Sequence, residues 1–218
     1  MKIQSLLSEK FPGLRVQEMV CSDVVVQKNA KDLEIFKKSK QSEIRKKIPS
    51  LEVVKDLPII RAYRDFYWKV GIDPTKTRPA GEALVRRILS GKDLPTINTL
   101  VDSYNLASAE SMVSIAAFDD RKVDRGNLFM RIAVRGETFV GIGMTNPMEL
   151  SGVEVVIEDI TQKKLIAVYP YRDADESKVS EETEDVLFMM CGVPGIREED
   201  LDLAKDTAMN YVSKFCSK

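Results

Sequence analysis

Residues Arg86 to Asp119 read RRILSGKDLPTINTLVDSYNLASAESMVSIAAFD, and the order of their parts decides how the chain is divided. Thr77-Arg78-Pro79 opens a helix whose apolar face is Leu84, Val85, Ile88 and Leu89, and Gly91 stops it. Arg86 and Arg87 then project to either side, where they can reach a ligand without being buried. After the Leu94-Pro95 turn a second helix is expected over Ile97 to Ala107, with Ile97, Leu100, Val101 and Tyr104 as its apolar face. Asn98, Asp102 and Asn105 fall at i, i+4 and i+7 and form one polar stripe along the border of that face. Such a stripe can line a cleft; it is also the ordinary solvated edge of an amphipathic helix.

Outward from this stretch, the N-terminal part reads as mainly helical. Ser5 to Phe11 forms a short helix closed by Pro12-Gly13, and Leu14 to Val20 with Val24 to Val26 reads as β structure. Ala30 to Lys47 is helical and strongly basic. Asp56 is expected to cap a core helix carrying Ile59, Ile60, Tyr63, Phe66, Tyr67 and Val70, with Pro58 in its first turn and Gly71 at its end. On the C-terminal side β-type runs follow at Leu128 to Val134, Thr138 to Ile142, Val153 to Glu158, Lys163 to Tyr169 and Val186 to Met190. A last helix spans Glu198 to Phe215, with Leu201, Ala204, Ala208, Tyr211, Val212 and Phe215 at helical spacing. The expected fold class is α+β: one domain over residues 1–218, helical first and with a mixed or antiparallel sheet later. Residues 1–50 are a candidate small N-terminal lobe, and Gln41 to Val54 a candidate exposed connection.

Composition narrows the chemistry. The 218 residues are 44% hydrophobic, enough for a substantial core, and 33 Lys and Arg balance 34 Asp and Glu. Bulk charge therefore gives no case for tight non-specific binding to DNA or RNA, and any RNA contact must be local. No histidine is present, which excludes Ser-His-Asp and Cys-His catalysis, His-rich zinc sites and a histidine base. The three cysteines, Cys21, Cys191 and Cys216, are scattered and read as reduced thiols with no metal site. No Gly-rich phosphate loop is present, so no nucleotide cofactor is expected. The apolar runs are too short to span a bilayer and the start lacks a secretory core, so no membrane association and a cytoplasmic location are expected.

Three further groups can carry function. In Tyr169 to Thr183, YPYRDADESKVSEET, the side chains of Tyr171, Asp173 and Asp175 share one side of an extended segment and Arg172 takes the other; the alternative is a flexible acidic loop. Lys37, Lys38, Lys40, Arg45, Lys46 and Lys47 form a basic run suited to phosphates, or a solvated helix face, and no aromatic is interleaved for base stacking. Arg131 is a charge within the apolar run LFMRIAV and needs a carboxylate, Asp119 or Glu154, or a ligand. Phe129, Met130, Phe139, Met144, Met148, Phe188, Met189 and Met190 read as core, with an adaptable pocket lining as the alternative.

The quoted stretch resembles the B3/B4 editing module of the phenylalanyl-tRNA synthetase beta subunit. That module reads as an arginine-leucine helix, a Gly-x-x-Pro-Ile-Asn turn, a Val-Asp-x-x-Asn helix and a Gln-Pro-Leu-His-Ala-Phe-Asp strand. Arg87, Gly91, Pro95, Asn98, Val101, Asp102, Asn105, Phe118 and Asp119 fall in step with it. The resemblance continues through Met130-Arg131, Gly136-Glu137, Val155 to Asp159 and Ser177 to Thr183, and so covers roughly the last two thirds of the chain. It departs at the family's histidine, where this chain has Ala116.

The resemblance implies a B3/B4-like fold and, as function, a freestanding deacylase that cleaves the ester between a wrong amino acid and the tRNA 3′ end, without a cofactor. Such an ester is labile enough for an oriented water and oxyanion stabilisation to suffice. It implies Asn105 as a substrate-orienting amide, and Asp175 or Asp173 as the group that reads the amino acid or orders the water. Arg87 would approach the terminal phosphates, and Asn98, Asp102, Arg131, Arg172, Ser177 and Thr183 would line the substrate site. Lys37, Lys38, Lys46 and Lys47 would contact the RNA. The alternative, favoured by Ala116, is a non-enzymatic module that binds RNA or an amino acid with the same fold.

Overall fold

The run Val186–Gly192, VLFMMCG, is apolar without alternation, the pattern of a strand covered on both faces, and all seven of its residues are buried. The computed structural model, which describes residues 1–217, places this strand, β10, at the centre of a three-stranded sheet. It pairs antiparallel with β2 (Arg15–Cys21) on one side and β3 (Ile115–Asp119) on the other. A second sheet of five strands has the order β1 (Lys2–Ile3), β4 (Leu128–Ile132), β7 (Val155–Asp159), β8 (Lys164–Tyr169), β9 (Arg172–Asp173). β1 lies parallel to β4 and the other neighbours are antiparallel, so the sheet is mixed. β5 (Thr138–Phe139) and β6 (Met148–Glu149) form a small ribbon.

The helices are α1 (Ser5–Lys10), α2 (Lys31–Lys47), α3 (Pro58–Lys69), α4 (Ala80–Leu89), α5 (Thr99–Ser111) and α6 (Glu198–Phe215). Tyr63, Phe66 and Tyr67 of α3, Val85 and Ile88 of α4, and Leu100 and Leu106 of α5 join one core with Phe188 and Met190 of β10. α4 and the end of α5 approach so closely that a Cβ at Gly81 would come within 2.3 Å of the Met112 carbonyl oxygen. Only glycine fits this crossing.

The α+β class and the long elements stand as the sequence indicates, and local details differ for identifiable reasons. Val24 to Val26 form no strand: the Val24 N–H donates to Glu184 O and the Val25 N–H to Cys216 O, so the segment bridges two elements. Asp56 does not cap α3; it closes a 3₁₀ turn, Val53–Asp56, and Leu57 stands at the cap with Pro58 in the first turn. Gln41 to Val54 is no exposed connection. Gln41, Ile44, Ile48 and Val54 are buried, and the Gln41 amide oxygen accepts from the Leu94 N–H at 2.9 Å. The first 50 residues supply β1 to one sheet and β2 to the other, and Leu7, Phe11, Ile44 and Ile48 belong to the common core. Among the described residues no helix is long and apolar enough to cross a membrane.

Candidate active site

The two sheets part at one end and leave a cleft of about 490 Å³, its open mouth included. Strand register determines its walls. Ala116 of β3 stands opposite Met189 of β10, and Cys191 lies two residues farther along the same face. In the other sheet Ile157 of β7 pairs with Ala167 of β8, which pairs in turn with Asp173 of β9. These residues, with Ser114, Tyr169, Pro170, Tyr171 and Arg172, line the cleft. Its apolar walls and few polar groups are those of a small-molecule site.

Asp173 is the one carboxylate in the lining among the described residues. Protein walls it in, while the mouth leaves it part of its solvent contact. Burial pushes its carboxyl up to about 7, against the pull of a hydrogen bond from the Ala117 backbone N–H. Both protonation states are therefore populated near neutral pH, as an acid–base group requires. Burial and the charge of Asp173 both raise the Cys191 thiol, which stays protonated and is no nucleophile.

Ser114 sits deeper. The Tyr63 hydroxyl accepts from the Ser114 N–H at 3.0 Å and donates to the Cys191 carbonyl, whose own residue returns an N–H to Ser114 O at 2.9 Å. This clamp fixes the Ser114 backbone, and the buried Ser114 side chain also interacts with the Tyr63 hydroxyl. At the mouth, Arg172 donates from Nη1 to Ile142 O at 3.1 Å and lies 5.1 Å from the centre of the Tyr171 ring. A Cβ at Gly141 would strike the Arg172 side chain at 2.2 Å, so that glycine makes room for it.

Of the residues singled out in the sequence, Tyr171, Arg172, Asp173 and Met189 stand in this cleft, together with Ala116 where the resembled family has histidine. Asp175, two residues beyond Asp173, is bound instead to Lys178 at 2.8 Å. Asn98 caps α5, accepting from the Val101 N–H at 2.8 Å, and Asp102 is buried against the Lys37 ammonium at 2.7 Å. Asn105 is half-buried on α5 and does not wall the cleft. Arg87 is exposed and donates to Asp93 O at 2.6 Å. Arg131 is paired with Glu137 and Glu158, both at 2.6 Å, and not with Asp119 or Glu154. The Thr183 hydroxyl donates to Asp119 Oδ2 at 2.9 Å and Ser177 O accepts from the Asp119 N–H at 3.0 Å, so both tie the loop before β10 to β3.

The basic run divides in the same way. Lys37 is buried and holds Asp102, Glu34 and the Pro95 carbonyl, so it is closed to a phosphate. Lys38, Lys46 and Lys47 are exposed. Ser114, Tyr63 and Cys191 were not singled out as site residues: their roles depend on contacts between α3, β3 and β10 that leave no local pattern. No cluster of Cys, Asp and Glu fit to hold a metal occurs among the described residues.

The B3/4 domain family matches residues 62–217 of this chain, and the chain belongs to that family. A crystal structure of an N-terminal fragment of the phenylalanyl-tRNA synthetase beta-subunit from Pyrococcus horikoshii has a similar fold, with a TM-score of 0.50 at 12% sequence identity. The similarity covers 98% of this chain and 48% of that fragment, so the chain spans about half of its length. A comparison with curated proteins finds no match.

Proposed function

We propose that this protein hydrolyses the ester of a mischarged aminoacyl-tRNA, acting in trans, with the cleft between the two sheets as the aminoacyl site. The observation that carries this reading is the Asp173 carboxyl, pushed up to about 7 in a lined cleft, in a chain without histidine. Its carboxylate takes a proton from water, the oxygen attacks the ester carbonyl, and collapse of the tetrahedral intermediate breaks the bond to the ribose oxygen. The proton returns to that oxygen, directly or through the neighbouring ribose hydroxyl, releasing amino acid and tRNA. Asp173 thus supplies the acid–base function at a site where Ala116 offers none. Exposed Lys38, Lys46, Lys47 and Arg87 contact phosphates of the RNA. Family membership and the likeness to a synthetase fragment support tRNA as partner.

Ala116 favours a second reading, a binding module of the same fold without turnover. The two separate in a deacylation assay on a panel of correctly and wrongly charged tRNAs. Selective hydrolysis that falls by about 10²- to 10³-fold in Asp173→Asn is the outcome expected of the enzyme. Neutralising Lys38, Lys46 and Lys47 together should weaken RNA binding and flatten its salt dependence. Hydrolysis of no charged tRNA above background would leave the binding module.

A further inference from the structure

We propose that the outer face of α2 and the end of α6 form a seat for one unpaired nucleotide of the RNA, its base lying against Phe36 and Phe215 and its phosphate on Lys214. The seat rests on RNA as the partner in the proposed function, and it adds base stacking to a surface that otherwise meets phosphates alone.

The basic run from Lys37 to Lys47 holds no aromatic of its own, and the fold supplies the rings beside it. Phe36, just before the run, turns toward α6 and meets the Tyr211 ring edge-on with centres 5.1 Å apart, and the Phe215 ring at 5.3 Å. Between the two helices lies a depression of about 750 Å³, its open mouth included, lined by Ile35, Phe36 and Phe215 with Asp32, Ser39 and Lys214. Ile35 is 60% exposed on the solvent face of α2, between exposed Lys31 and Ser39, where a polar residue is the rule.

Two ammonium groups lie against the Phe36 ring, and they differ in how they are held. Lys40 Nζ, 5.9 Å from the ring centre, is tied to Glu43 at 3.2 Å and to Glu110 at 3.3 Å. Lys214 Nζ lies 4.4 Å from the Phe36 centre and 5.2 Å from the Phe215 centre, and among the described residues it has no ion pair. Attraction to a ring at an exposed site is a weak hold, so this ammonium is free to yield. A nucleotide offers it a phosphate and offers the rings a flat base in its place. Every base has such a face, so the seat tolerates any sequence. Lys31 and Lys38 flank Ile35 at i−4 and i+3 on the exposed side of α2, within reach of neighbouring phosphates. Asp32 is the one acid in the lining among the described residues, which leaves the rim positive around an apolar floor.

The test is photo-cross-linking with a single-stranded RNA that carries 5-iodouridine, mapped by mass spectrometry, beside binding of that RNA and of uncharged tRNA over a salt series. The wild type should cross-link at Phe36 or Phe215. Phe36→Leu keeps an apolar side chain and should weaken binding about fivefold or more with the salt slope unchanged. Lys214→Gln should weaken it and lower the slope by about one. Ile35→Glu changes an exposed position that packing does not need, and it should abolish the cross-link by setting a carboxylate at the seat. Cross-links confined to other residues, or affinities of Phe36→Leu and Ile35→Glu within about twofold of wild type, overturn the inference while RNA binding stands. Binding of neither RNA by the wild type overturns RNA as the partner, and the seat with it.

Discussion

Two of the polar sites in this molecule differ in how far their partners are present. Between α2 and α5 the Lys37 ammonium is within 3.0 Å of Asp102, Glu34 and the Pro95 carbonyl, and the second Asp102 oxygen takes the Ile97 N–H at 2.9 Å. In the cleft, Asp173 has one backbone donor, the Ala117 N–H, and no cation beside it. Both regions were flagged in the sequence by charged residues at suggestive spacing. A closed network fixes the arrangement of helices, whereas an open one is the state in which a binding or catalytic group waits for its ligand.

The largest expected effect breaks the closed network. Lys37→Met should destabilise the protein by about 3–5 kcal/mol in urea denaturation, because Asp102 is left charged and buried. Burial already raises the Asp102 carboxyl despite Lys37 and the Ile97 N–H, so the pair spends most of its attraction on desolvation. Lys37→Met combined with Asp102→Leu should therefore cost less than Lys37→Met alone. A double variant as unstable as the single one would show that Glu34 and Pro95 carry the cluster.

The opposite sign is expected in the cleft. The folded-state value for Asp173, about 7, lies above the ordinary 3.8, so the native protein keeps a proton that the unfolded chain releases. Its ionisation opposes folding increasingly as pH rises from about 4 to about 7, and the cost is fully present above that window. Asp173→Asn should match the wild type near pH 4 and exceed it at pH 8 by on the order of 2 kcal/mol, a value reduced for the solvent at the mouth. Deacylation by the wild type should rise with pH through about 7 as the base forms. A variant that loses stability at pH 8 would place Asp173 with Asp102 as a structural carboxylate.

How much of this was legible follows from where each signal resides. β10 and α6 announce themselves, one by seven consecutive buried positions and the other by helical spacing over Glu198–Phe215. β1 and β9 have two residues each and exist because of remote partners, Lys2 opposite Phe129 and Asp173 opposite Ala167, which no local pattern encodes. Lys37 and Lys38 look alike in sequence, and only Asp102, 65 residues away, decides which is buried. The resemblance marked Ala116 only as the place of a missing histidine, and the structure puts that residue in the cleft wall. The clamp of Tyr63 on Ser114 and Cys191 joins three elements distant in the chain and has no counterpart in any local pattern.

The smallest expected effect falls on Asp175, which period-2 alternation alone could not separate from Asp173. Its carboxylate meets Lys178 at 2.8 and 3.0 Å at a partly exposed position three residues away, and its N–H donates to Val140 O whatever the side chain. An exposed pair of this kind contributes less than about 1 kcal/mol, since solvent screens it and two side chains lose freedom to form it. Asp175→Ala should leave deacylation within about twofold of wild type. It should also leave the pH profile in place, because the group that titrates near 7 is on the other side of Ala174. Loss of activity in Asp175→Ala with retention in Asp173→Asn would reverse the assignment. It would require the segment after β9 to turn over, breaking the bonds from Ala174 N–H to Ile166 O and from Asp175 N–H to Val140 O.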